Sequence, residues 1–213
     1  MLSLLGRALL VLAFLTSAHH IARPEKAGDA VVRNVTLASQ IAPFALLVSA
    51  FVLDASSLDL VARFGGDGLP LLYRVSAVWG GRAGPLLLWA AILAVVTWFM
   101  AREGGPATLE VRIMHGLTLA LLVLAWLLEP FAAATGGQGE LHPLLQTDLM
   151  VIHPPVVFSY YALCLATASV ALAGVLRRDS ADAIHAAQLH WARAGFVLGS
   201  IGIGLGGLWA YTV

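Results

Sequence analysis

The segment Asp148–Cys164, DLMVIHPPVVFSYYALC, places a histidine and two prolines at the mouth of an apolar run. From Pro154 to Leu176 the chain carries no charged residue. A bilayer-crossing helix needs about 20 largely apolar residues, so this run reads as a membrane span. Proline is tolerated in the first helical turn, where its missing N–H would have no intrahelical partner. The pattern therefore predicts Pro154 and Pro155 at the first two helical positions. The residue before a proline is pushed out of the α region, which predicts His153 extended at the helix mouth, its ring free of the helix axis. A neutral imidazole held in that way is a good axial ligand for iron. The plain alternative is a wet, amphipathic end group, and three residues do not separate the two.

Working outward, five further segments have similar character: Leu2–Ala18, Val35–Leu53, Pro85–Met100, Arg112–Glu129 and Trp191–Val213. Of the 213 residues, 60% are hydrophobic and 11% charged, against about 25% charged in soluble domains. The expected fold is an all-α polytopic membrane bundle of about six transmembrane helices, a single membrane domain over residues 1–213. With formal net charge zero there is no basic footprint for nucleic acid. Cys164 is the single cysteine, which excludes an intrachain disulfide, a thiolate cluster and a C-x-x-C-H haem attachment site.

Loop charges give the expected orientation. With the N-terminus outside, Arg23, Lys26, Arg33, Arg102, Arg112, Arg177, Arg178 and Arg193 lie inside, and Arg7, Arg63, Arg74 and Arg82 outside. Both termini and His153 are then extracytoplasmic. A cleaved leader over the first segment is the rival reading; it would leave five spans and put the eight basic residues outside, against the rule. His19, His20, His185 and His190 are expected in solvated inner regions, His142 in an outer loop, and His115 at the hydrated start of the fourth span.

The outer stretch Asp59–Trp89, DLVARFGGDGLPLLYRVSAVWGGRAGPLLLW, is broken by glycines. Leu69–Val78 is too short to span and reads as an interfacial or re-entrant segment between spans two and three. Arg74 and Arg82 suit carboxylate or phosphate groups, lipid headgroups being the plain alternative. In the last span Gly195/Gly199 and Gly202/Gly206 are small-xxx-small pairs that allow close helix approach.

Three of these stretches together resemble the N-terminal part of CcmF-type proteins, the membrane subunits of bacterial cytochrome c maturation related to the CcsA haem handlers. LPLLYRVSAVWGGRAGPLLLW is similar to that family's outer motif, LHPLLQTDLMVIHPP to its Asn-Pro-Leu-Leu-Gln…His-Pro-Pro segment, and LGSIGIGLGGLWAY to the glycine-rich helix that leads into its tryptophan-rich WWD domain. The resemblance has departures. Where the family commonly reads His, Glu and Ser, this chain has Arg82, Ala83 and Pro85.

The resemblance implies a plasma-membrane (inner-membrane) protein of cytochrome c biogenesis, active in extracytoplasmic haem binding and in haem delivery or ligation to apocytochrome c. Of this chain's residues only His153 carries over, as a haem axial ligand; Arg74 and Arg82, two guanidinium groups in the glycine-broken outer segment, are expected near it, where they can approach haem propionates. The WWD domain is expected on a partner chain, with haem bound only in the pair and other maturation proteins alongside. At most the chain is a subunit of a haem lyase assembly; no nucleophile or carboxylate pair marks an independent active site. The alternatives are a structural membrane subunit without its own haem, a truncated product, or a transporter. Against a transporter, no Asp or Glu stands at mid-span and no inverted repeat is evident.

Overall fold

The computed structural model describes residues 1–23, 29–66, 68–103, 108–136 and 139–212. Its helices are α1 (Leu2–Ala22), α2 (Ala30–Val52), α3 (Asp59–Phe64), α4 (Leu71–Ala77), α5 (Ala83–Glu103), α6 (Leu109–Leu127), α7 (Asp148–Arg177) and α8 (Ala181–Thr212), with a short 3-10 turn at Pro143–Leu145. Six of them, α1, α2, α5, α6, α7 and α8, are long and apolar enough to cross a membrane. The expected bundle of six spans is therefore present, as an all-α membrane fold. Lys26 lies outside the described residues.

α5 is the central helix. It packs on α2, α6 and α7, and Leu87, Ala90, Leu93 and Ala94 are buried along it. α8 packs chiefly on α7 and leaves Phe196, Val197, Ile203 and Tyr211 exposed. Such a face suits lipid, which solvates apolar side chains as well as a protein core does.

Consecutive spans alternate in direction, so the bundle has two ends. One carries the N-terminus of α7, the C-termini of α2 and α6, and the short helices α3 and α4. Two loops are stitched together there: Asp59 N–H donates to Ala132 O at 3.0 Å and Ala134 N–H to Ser57 O at 2.9 Å. Phe131, 1% exposed, closes this end over Gly6, where an added Cβ would overlap its ring. The other end carries the tight α7–α8 turn. Arg178 ends α7 in the left-handed region (φ 61°), Asp179 N–H returns to Gly174 O at 2.9 Å, and Arg177 bridges Glu110 at 2.7 Å and Asp179 at 3.0 Å.

One expectation is overturned. α7 begins six residues before Pro154, at Asp148, capped by Thr147, whose hydroxyl accepts from Met150 N–H. Both prolines lie inside the helix, and His153 is helical rather than extended. The reason is tertiary. Pro154 has no N–H to give the carbonyl four residues back, at Met150. The Trp79 indole N–H donates to that carbonyl instead, at 2.6 Å. A proline is acceptable in a membrane helix when a neighbour satisfies the freed carbonyl.

Candidate functional site

α7 and α8 meet along the glycine seam. An added Cβ would meet Leu163 at Gly195, Tyr160 at Gly199, Val157 at Gly202 and His153 at Gly206. Both small-xxx-small pairs are thus used, in the antiparallel register that brings the end of α8 to the start of α7. At Gly206 the position would lie 2.9 Å from His153 Cε1 and 3.6 Å from each ring nitrogen. The missing side chain at Gly206 is what lets the imidazole lie against the α8 backbone. Trp209 supports it edge-on, with ring centroids 5.8 Å apart.

His153 Nδ1 is shielded and has no hydrogen-bond partner. A buried unpartnered ring nitrogen costs free energy. Histidines that ligate metal usually donate their second N–H to a carboxylate or carbonyl; among the described residues none reaches Nδ1. The ring is held by packing alone.

The interfacial segment grips α7 just above this histidine. α4 realises the expected short element. Tyr73 hydroxyl donates to Asp148 Oδ1 at 3.3 Å; desolvation and then the Asp148 charge hold that phenol above its usual range, so it remains a donor. With the Trp79–Met150 bond, the outer motif and the His-Pro-Pro motif form one structural unit.

The two arginines singled out from sequence occupy different places. Arg74 Nε donates to Leu69 O at 2.9 Å and its Nη1 to Val52 O at 3.5 Å, so its fork ties the end of α2 to α4. Arg82 is exposed and lines a separate outer groove with Asp59, Arg63 and Glu129.

Among the other histidines, His142 caps the 3-10 turn, its Nδ1 accepting from Leu144 N–H at 3.2 Å. His190 pairs with Glu103 at 3.6 Å. His20 and His115 depart from expectation: they are only 3% and 5% exposed, stacked with centroids 4.4 Å apart at the end of the bundle remote from His153. Their burial comes from Thr36 and Gln40, one helical turn apart on α2, which bond His20 Nε2 at 2.9 Å and His115 Nδ1 at 3.2 Å. The i, i+4 spacing of two polar residues in an apolar helix was the available signal.

The fold and the α7–α8 seam define a class, a polytopic helical membrane protein that holds one histidine at an interfacial end. The particular family follows from comparison: residues 79–213 match the cytochrome C assembly protein family, and the chain belongs to it. The chain is 33% identical over 178 residues to the probable cytochrome c-type biogenesis protein NrfE of Escherichia coli (strain K12), covering 79% of this chain and 32% of that protein. It is 31% identical over 180 residues to the cytochrome c-type biogenesis protein CcmF of the same organism, covering 79% and 28%. A solved structure titled cytochrome c heme lyase CcmF shares the fold at TM-score 0.78 and 20% identity, over 99% of this chain and 36% of that one. The chain thus spans about a third of the length of these relatives.

Proposed function

We propose that the chain works in cytochrome c maturation at the extracytoplasmic face of the plasma membrane, where His153 supplies one axial ligand to haem. The observation that carries this reading is the His153 ring. It is packed on Gly206 and Trp209 with Nδ1 unpartnered, in a chain of the cytochrome c assembly family. When bound, haem supplies the vinyl groups that receive apocytochrome thiols. The chain's own part is to present the imidazole, exclude water through the α7–α8 seam and fix the end of α7 through Trp79 and Tyr73. Arg82 stands on the same outer face and is open to a propionate, whereas the bonds of Arg74 to Leu69 and Val52 give that residue a scaffolding role. A WWD-bearing partner would complete the haem platform and supply the second ligand.

The test is co-purification. The chain alone should hold little haem, and the chain with a WWD-bearing partner should hold one haem per pair with a low-spin visible spectrum. A partner that binds haem equally well without this chain would refute the proposal.

The orientation rests on the basic asymmetry. Reporter fusions after Ala134 and after Arg178 should report opposite sides, with Ala134 extracytoplasmic. A cytoplasmic signal at Ala134 would put His153 on the wrong face for this function.

A further inference from the structure

The end of the bundle remote from His153 contains a narrow crevice between α1, α2, α5 and α6. His20, Thr36, Gln40 and His115 form its floor, and Arg33 and Trp98 its mouth. Three features distinguish it from ordinary packing. Arg33 Nε is buried with no hydrogen-bond partner, and so is His20 Nδ1. Among the described residues no carboxylate pairs with Arg33 or with Arg102. Trp98 lines the crevice with Arg33; its indole N–H donates to Asn34 Oδ1 at 2.9 Å, and the Arg102 guanidinium lies 4.8 Å from its ring centroid.

A half-buried guanidinium without a counter-charge is costly in a membrane protein. Its donors ask for an anionic acceptor, and the guanidinium fork is well matched to phosphate. On the surrounding elements, Glu110 Oε1 on α6 is bound by Arg177 while its Oε2 and the Nε of Arg112 are buried without partners, Glu103 on α5 lies by His190, and the Asp29 carboxylate accepts from Val31 N–H; none of these carboxylates pairs with Arg33 or Arg102. Enclosed space in the crevice is only about 10 Å³, room for roughly one water, so an occupant sits at the mouth rather than the floor. Basic pockets between transmembrane helices recognise anionic headgroups, and an interfacial tryptophan lies at headgroup level.

We infer that the Arg33–Trp98–Arg102 rim binds the phosphate diester of an anionic phospholipid. The phosphate accepts from Arg33 and Arg102, Trp98 packs against the glycerol backbone, and one water in the crevice links the headgroup to His20 Nδ1. The inference is independent of haem binding.

The experiment uses the whole chain in nanodiscs of phosphatidylcholine with and without phosphatidylglycerol, with native mass spectrometry of the lipids retained on release. Phosphatidylglycerol should be retained in preference to phosphatidylcholine. Arg33→Gln and the exposed Arg102→Gln should each reduce that preference about fivefold, the effect of losing one near-surface cation. Arg33→Lys should keep part of it. Arg178→Gln, on the same end but outside the crevice, should leave it unchanged. An equal loss in Arg178→Gln would mean diffuse surface attraction and would overturn the site, as would full preference in both Arg33→Gln and Arg102→Gln. A further arm adds inorganic phosphate to chain in pure phosphatidylcholine. Thermal stabilisation there, lost in Arg33→Gln, would assign the crevice to free phosphate and overturn the lipid assignment.

Discussion

His153→Ala should abolish the low-spin visible spectrum of the pair formed with a WWD-bearing partner, while His142→Ala and His190→Ala leave it largely intact. An axial nitrogen cannot be replaced by a methyl group, and the two control histidines are committed elsewhere, to Leu144 N–H and to Glu103. His153→Gln separates ligation from packing, since it retains most of the side-chain volume against Trp209 but offers no imidazole. It should fail as completely as alanine. Gly206→Ala tests the geometry from the other helix. Its Cβ would come within 2.9 Å of His153 Cε1, and the ring can yield by rotating. Haem occupancy should fall while the chain stays folded. A normal spectrum in His153→Gln would remove the ligand assignment and leave a structural role for this end of α7.

The spans were legible because lipid imposes a length and an apolar composition that no other environment demands so uniformly. The glycine seam was legible too, because small residues at regular spacing have few other uses in an apolar helix. The start of α7 was not. Local rules for proline favour a helix beginning at Pro154, and they are overridden by the Trp79 indole, which bonds Met150 O across 71 residues of chain. A sequence shows Trp79 as an interfacial aromatic but does not show which carbonyl it will find. The same blindness hid the stacking of His20 on His115. Each looks solvated within its own segment, and only the meeting of α1, α2 and α6 buries them. The bonding of Arg74 was hidden for a related reason. A guanidinium in an outer loop is equally suited to a ligand and to the loop's own carbonyls, and Arg74 is bound to the latter.

Gly84→Ala should be the most damaging of the small substitutions in the outer segment. Gly84 lies in the first turn of α5 and is buried. A Cβ there would overlap the Val78 carbonyl oxygen and approach its carbonyl carbon to 2.7 Å. These are backbone atoms, so no rotamer change relieves the contact and the turn between α4 and α5 must move. That turn carries Trp79, whose indole satisfies Met150 O beside Pro154; displacing it leaves a helical carbonyl unpaired at the start of α7. Overpacking of about 1–3 kcal/mol then adds to the loss of a buried acceptor's partner, about 1–3 kcal/mol. Gly116→Ala, in the interior of α6 with no atom within 4 Å of the added Cβ, should instead be neutral or stabilising by up to about 1 kcal/mol from helix propensity. Thermal unfolding in detergent, followed by tryptophan fluorescence, should therefore show a clear fall in midpoint for Gly84→Ala and none for Gly116→Ala. Equal midpoints would mean that the α4–α5 turn does not hold α7, and that Pro154 is accommodated without Trp79.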